Sequence, residues 1–131
     1  MQTITINGNN FDDLNTFFDE VQRKLCPDFK EFGRNLDAFN DVLQGGFGLF
    51  EYGEPIKLIW NNSDKSKKDL GYEAEADWLK QIRVRAHSSN HNSIDERIDR
   101  AQNKKGPTMF EQILEIITAS EHADRIELIL E

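Results

Sequence analysis

Pro55-Ile56-Lys57-Leu58-Ile59-Trp60 is the stretch on which the fold turns. It is too short for a helix and too apolar for a loop, so it reads as a strand, and its apolar density places it centrally in a sheet. Two further strand-like runs sit at the ends of the chain. Gln2-Thr3-Ile4-Thr5-Ile6 alternates polar and apolar and is closed by Asn7-Gly8, while Arg125-Ile126-Glu127-Leu128-Ile129-Leu130 stands near the C-terminus. Between the first two runs, Phe11, Leu14, Phe17, Phe18, Val21 and Leu25 recur with helical spacing. They predict a helix from about Asp13 to Leu25, ended by Pro27, with its aromatic side on the sheet. Strands joined through helices pair in parallel. The expected fold is therefore α/β, a small three-stranded parallel sheet packed with helices.

After the central strand, Ser66 to Leu70 has room for one helical turn or two. From Tyr72 to Ala86, the residues Tyr72, Ala76, Leu79, Ile82 and Ala86 share one side of a helix. His87 to Lys105 is polar and rich in Ser, Asn and mixed charge, and reads as a long loop with a short helix around Ile94 to Ala101. Gly106-Pro107-Thr108 then opens a last helix, in which Thr108 and Glu111 have the spacing of a capping box and Phe110, Ile113, Leu114 and Ile117 form the buried face.

With 131 residues the chain has room for one core and one domain, residues 1–131. An apolar content of 37 % with 31 % charged residues fits a globular protein and neither a membrane nor a disordered one. No apolar run is long enough to cross a bilayer, and Met1-Gln2-Thr3 has no signal-peptide character, so a cytoplasmic location is expected. The single cysteine, Cys26, forms no internal disulfide and agrees with a reducing compartment. A net charge of −8 disfavours direct nucleic-acid binding and favours a basic partner. That charge is uneven. Residues 1–60 carry ten acids against five bases and 107–131 six against one, whereas 61–106 carry eight acids and ten bases.

The functional signal lies in Phe32-Gly33-Arg34-Asn35-Leu36-Asp37-Ala38-Phe39-Asn40-Asp41-Val42-Leu43. Gly33 interrupts any preceding helix and Asn35 is a good N-cap for a new one. Leu36, Phe39 and Leu43 then form an apolar stripe, and Asp37 and Asp41 lie one turn apart on the opposite face. Like charges at that spacing repel by roughly 0.2–0.5 kcal/mol, and no lysine or arginine follows one turn on to relieve them. Only Asp37, in the first turn, is compensated by the helix dipole. This is either a solvated acidic face or one that awaits a cationic partner. Gly45-Gly46-Phe47-Gly48 supplies a C-cap and a loop. It lacks the Gly-Lys-Ser/Thr ending of a phosphate loop. Phe47, Leu49, Phe50 and Tyr52 either fold back into the core or form an aromatic patch beside the acidic helix.

The run of aromatic, Gly, any residue, Asn-Leu-Asp-Ala, two residues, Asp, any residue, Leu resembles the binding helix of the barstar family, small α/β inhibitors of bacterial ribonucleases. The similarity extends over Ile6–Leu25, through the central helix to Trp60 and Ser66-Lys67, and returns in the last helix and strand. A segment within about 71–105 reads as an insertion. The resemblance implies a cytoplasmic inhibitor, or immunity protein, that is not an enzyme and needs no cofactor. Its partner would be a basic, extracellular-type, barnase-like ribonuclease, with no direct contact to nucleic acid or membrane. Mapped by motif, Asp41 would enter the enzyme's cationic phosphate site, with Asp37 beside it. Phe32, Asn35, Asn40, Gly45, Gly46 and Phe47 complete the implied contact set, and Glu115 is a candidate for a further family glutamate. Asn40, Phe32 and Arg34 depart from the tryptophan, tyrosine and glutamate of the family pattern. The alternative is an immunity or regulatory protein whose basic target is not a ribonuclease.

Other chemistries find little support. His87 and His91 have a spacing that would suit a metal on a helix, but Ser88-Ser89-Asn90 between them are poor helix formers and no zincin carboxylate is near. Asp37 and Asp41 could act as metal ligands or as an acid and base pair. Nothing beside them supplies a nucleophile.

Overall fold

The computed structural model describes residues 1–131. The elements run β1 (Gln2–Asn7), α1 (Leu14–Leu25), α2 (Leu36–Gln44), β2 (Ile56–Asn61), α3 (Ser63–Asp69), α4 (Tyr72–Arg85), α5 (His91–Gln102), α6 (Met109–Ile117) and β3 (Ile126–Leu130). Short 3-10 turns precede α1 and α5, at Gly8–Asn10 and Ser88–Asn90. The sheet has the order β1-β2-β3 and both pairings are parallel, with Ile4 opposite Leu58 and Leu58 opposite Leu128. The expected α/β fold with a three-stranded parallel sheet is the one observed, and β2 is its centre. No helix is long and apolar enough to cross a membrane.

The sheet is one-sided. Ile4, Ile6, Ile56, Leu58, Trp60 and Ile126 are buried in one core with Phe17, Phe18 and Val21 of α1, Phe39, Val42 and Leu43 of α2, and Phe110, Ile113 and Ile117 of α6. Of the alternate residues, Thr3 is exposed and Thr5, Lys57 and Ile59 are only half-buried, and Lys57 pairs with Glu127 across that outer face. The apolar density of β2 thus reflects a deep core against one face, with the period of two intact.

Two devices lock the start of the chain onto this core. Asp13 caps α1 by accepting from the Thr16 backbone N–H at 2.8 Å, and Thr16 returns a bond as the other half of a capping box. Glu20, fully buried, accepts from the Asn7 backbone at 2.9 Å, from the Asn10 amide and from Arg23 at 2.8 Å. The carboxylate is tolerated inside because every bond it needs is made. Cys26, at the end of α1, is buried, and burial pushes its thiol up to about 11, so it is no nucleophile at neutral pH.

Gly8, which opens the 3-10 turn after β1, sits tightly against the start of α3. A Cβ there would lie 2.6 Å from both the Asn62 carbonyl oxygen and the Ser66 hydroxyl. Because one obstacle is backbone, Gly8→Ala is expected to lower stability by roughly 1–3 kcal/mol, as overpacking does elsewhere. Urea denaturation followed by circular dichroism reads that shift.

The expected loop at 87–105 is mostly helix. Ile94, Ile98 and Ala101, spaced as i, i+4 and i+7, are buried along one face of α5, and Ile94 and Ile98 form a small second cluster with Leu79 of α4. The polar residues between them masked a complete helical stripe. Trp78 joins this α4–α5 pair to the main core through Phe18, at a ring separation of 6.2 Å. In α6 the capping box of Thr108 and Glu111 forms as expected. Its buried face adds Met109, and Leu114 is only half-buried.

Candidate functional site

α2 begins where the sequence places it. Asn35 is extended and its side-chain oxygen accepts from the Ala38 backbone N–H at 2.7 Å. The chain reaches that cap through Arg34, which holds the left-handed conformation with φ 53°. Arg34 is anchored by α1, donating to Asp19 and to the Asn15 carbonyl, each at 2.7 Å. Phe39, Val42 and Leu43 turn inward. Leu36, expected in the stripe, is half-buried at its edge. Asp37 and Asp41 face solvent, and neither carboxylate forms a hydrogen bond or an ion pair.

At its other end α2 stops on Gly45, with φ 90°, where a Cβ would run into the Glu51 carbonyl. The loop that follows is closed by its own backbone. Gly46 donates to the Phe50 carbonyl at 2.8 Å and Gly53 to that of Gln44 at 2.7 Å. Of its four large side chains, Phe50 is core and Tyr52 is largely exposed, while Phe47 and Leu49 are half-buried. Phe47 packs on Phe29 with ring centroids 4.8 Å apart. The two placements left open by the sequence are thus both used.

Three expected contact residues have other tasks. Phe32 is buried, edge-on to Phe18 at 6.0 Å, because the chain leaving α1 must cover the aromatic end of that helix. In the free chain it serves the core, and little of its ring is left exposed. Gly45 is also buried, since it must pass close to Glu51. Asn35 remains exposed, with its oxygen engaged in the cap.

Beneath α2 lies a polar network that no sequence periodicity marks. Asn40 is half-buried, and its side-chain oxygen is 2.6 Å from Nε2 of His122, which is fully buried in the turn before β3. The other ring nitrogen of His122 faces the guanidinium of Arg125, which also reaches the Gln44 side-chain oxygen at 3.3 Å. Gln44 in turn donates to Glu121 at 3.2 Å. Arg125 can only donate, so Nδ1 must accept and Nε2 carries the proton to Asn40. Asn40 and Gln44, one turn apart on α2, are therefore clamped from below by a neutral histidine and an arginine. The nearest concavity, of about 370 Å³, runs between α2 and α6 and is lined by Asp37, Glu115 and Glu121 among others. The structure thus places Glu115 on the same groove as Asp37.

The fold, the capped acidic helix and the glycine-closed loop agree with the comparison by family. A family model described as Barstar (barnase inhibitor) matches residues 1–95, most of the chain. The chain belongs to the Barstar family. That match contains α2, its loop and β2, and it ends within α5, so α6, β3 and the His122 network lie beyond it. It also takes in residues 71–95 of the segment read as an insertion. No curated protein matches the chain. The family is one of proteinaceous inhibitors, and the groups around α2 suit binding better than catalysis. His87 is turned onto Ser89, and the ring of His91 lies against the Ala86 carbonyl.

The clamp makes a pH dependence. Burial lowers the pKa of His122, the Arg125 charge lowers it further, and Glu121 opposes them weakly. The folded state thus takes up the proton later than the unfolded chain, whose histidine titrates near 6.5. Stability from this group is full above that value and falls as pH drops below it towards the lowered folded pKa. Between pH 7.5 and 5.5, denaturant midpoints are expected to decline, and His122→Gln is expected to flatten the decline.

Proposed function

We propose that this chain is an intracellular inhibitor, or immunity protein, for a basic, barnase-like ribonuclease, and that it acts by occluding the active site. The single observation that carries this reading is the pair of unpaired, exposed carboxylates, Asp37 and Asp41, on a helix fixed at both ends and from below. A solvated acidic face needs no such support. A face that must enter a cationic cleft benefits from being held in its bound geometry beforehand.

In this mechanism Asp41 takes the place of a substrate phosphate among the enzyme's cations, and Asp37 supports it from one turn earlier. Gly46 and Phe47 contact the rim, with Asn40 at the margin of the helix face. The chain acts as one domain into which residues 71–105 are inserted, and it works in the cell interior, where Cys26 stays reduced. Neither catalysis nor a cofactor is required.

The test is a pull-down from lysate and culture fluid of the source organism at low salt, followed by a ribonuclease assay on the retained protein. Capture of a basic nuclease whose activity falls stoichiometrically on adding this chain supports the proposal. Capture of a basic protein without ribonuclease activity would move the reading to an immunity protein for another toxin.

A further inference from the structure

Three of the ten bases in residues 61–106 meet in one cleft. Arg97 and Arg100 of α5, together with Lys105 after it, line a cleft of about 470 Å³ whose opposite wall carries Glu75 of α4 and Gln112 and Glu115 of α6. Apart from the Pro107 ring, every side chain that lines it is polar or charged. None of its three cations forms an ion pair, although Arg23, Arg34, Lys65 and Arg83 elsewhere all do. Glu75 is almost buried and is held by Gln112 at 2.7 Å, so its carboxylate is not free to swing across to them.

Gln112 and Glu115 also line the groove bounded by Asp37. The two concavities therefore share the ridge of α6 and form a continuous surface, acidic beside α2 and basic beside α5. We propose that the Arg97, Arg100 and Lys105 wall is the second half of the partner-binding surface, receiving an acidic segment of the same protein whose cationic cleft receives α2. The inference rests on the inhibitor reading above and adds the selectivity that reading lacks. A basic protein without an acidic segment at that position would bring cation against cation, which penalises it. A polyanion is a poorer occupant, because it would meet Glu75, Glu115 and a chain of net charge −8.

The sign of a charge reversal tests this. Arg97→Glu, Arg100→Glu and Lys105→Glu combined make the chain still more negative, so steering alone would speed association with a basic partner and tighten binding. Direct contact with an acidic segment predicts the opposite, a loss of tenfold or more in affinity. Wild type, the triple variant and Asp41→Ala are used in parallel as baits, and Kd and association rate with the retained protein are measured over a salt series. Circular dichroism verifies that each bait is folded. The inference is supported by weaker binding of the triple variant that is restored by lysine substitutions in the partner's acidic segment, located by cross-linking. Equal or tighter binding by the triple variant, with Asp41→Ala impaired, overturns this inference and leaves the inhibitor reading standing. Impairment of the triple variant alone supports the basic wall and overturns the role given to α2. Capture of nothing overturns both.

Discussion

Asp41→Ala is expected to weaken binding of the target nuclease by more than a hundredfold while leaving the fold at least as stable. The carboxylate is exposed and without a partner in the free chain, so its removal costs no intramolecular bond. It also relieves repulsion from Asp37, worth roughly 0.2–0.5 kcal/mol at this spacing. In the complex the same group would be desolvated among cations. Removing one member of such a buried pair leaves the other uncompensated and costs about 3–5 kcal/mol. Every 1.4 kcal/mol is about tenfold in Kd. Asp37→Ala separates the two carboxylates, because Asp37 lies in the first turn of α2 and is stabilised there by the helix dipole by roughly 0.3–1 kcal/mol. It should lower stability slightly and affinity less than Asp41→Ala does. Calorimetric titration against the nuclease and urea melts of the free variants give both quantities. Unchanged affinity in Asp41→Ala would remove the basis of the proposed mechanism.

The legible parts of the molecule were those governed by local rules. The Asn35 cap, the α2 span and the Gly45 stop depend on a few neighbouring residues, and the structure has all three. The parallel sheet followed from the alternation of strands with helices, and β2 identified itself by its length and apolar density. Long-range contacts were less visible. Phe32 entered the implied contact set through the motif alone, because nothing local says that it packs on α1, yet Phe18 takes it into the core. α5 was obscured by polar composition, since Ile94, Ile98 and Ala101 are the whole of its buried stripe. His122 left no trace at all. It is a lone histidine in a polar turn, separated from Asn40 by 82 positions, and only the fold brings the two together. The acidic helix could therefore be read from sequence, but the clamp beneath it and the basic wall beyond α6 could not.

The largest loss of stability is expected on replacing Trp60. Its indole is fully buried at the end of β2, stacked on Phe17 at 5.6 Å and tilted against Phe110 at 5.2 Å, with Phe11 edge-on at 6.2 Å. Its Nε1–H donates to the buried Ser66 hydroxyl at 2.9 Å, which ties the sheet to α3. Trp60→Ala is expected to cost about 3–5 kcal/mol, as large truncations in packed cores do. Domains of ordinary stability have only about 5–15 kcal/mol in all. The hydrogen bond can be separated from the ring. Ser66→Ala leaves the indole N–H buried without an acceptor, at a cost of roughly 1–3 kcal/mol. Trp60→Phe keeps an aromatic ring but abandons the Ser66 hydroxyl. In the double variant neither group is left waiting, so its loss should fall short of the sum of the two single losses. Strict additivity in urea denaturation would mean that the bond contributes nothing. Since Trp60 lies in the core and Asp41 on the surface, the folded fraction of each variant should still bind the nuclease with wild-type affinity. A fall in both would couple the sheet to α2 through Phe17, which touches Phe39 on that helix at a ring separation of 5.6 Å.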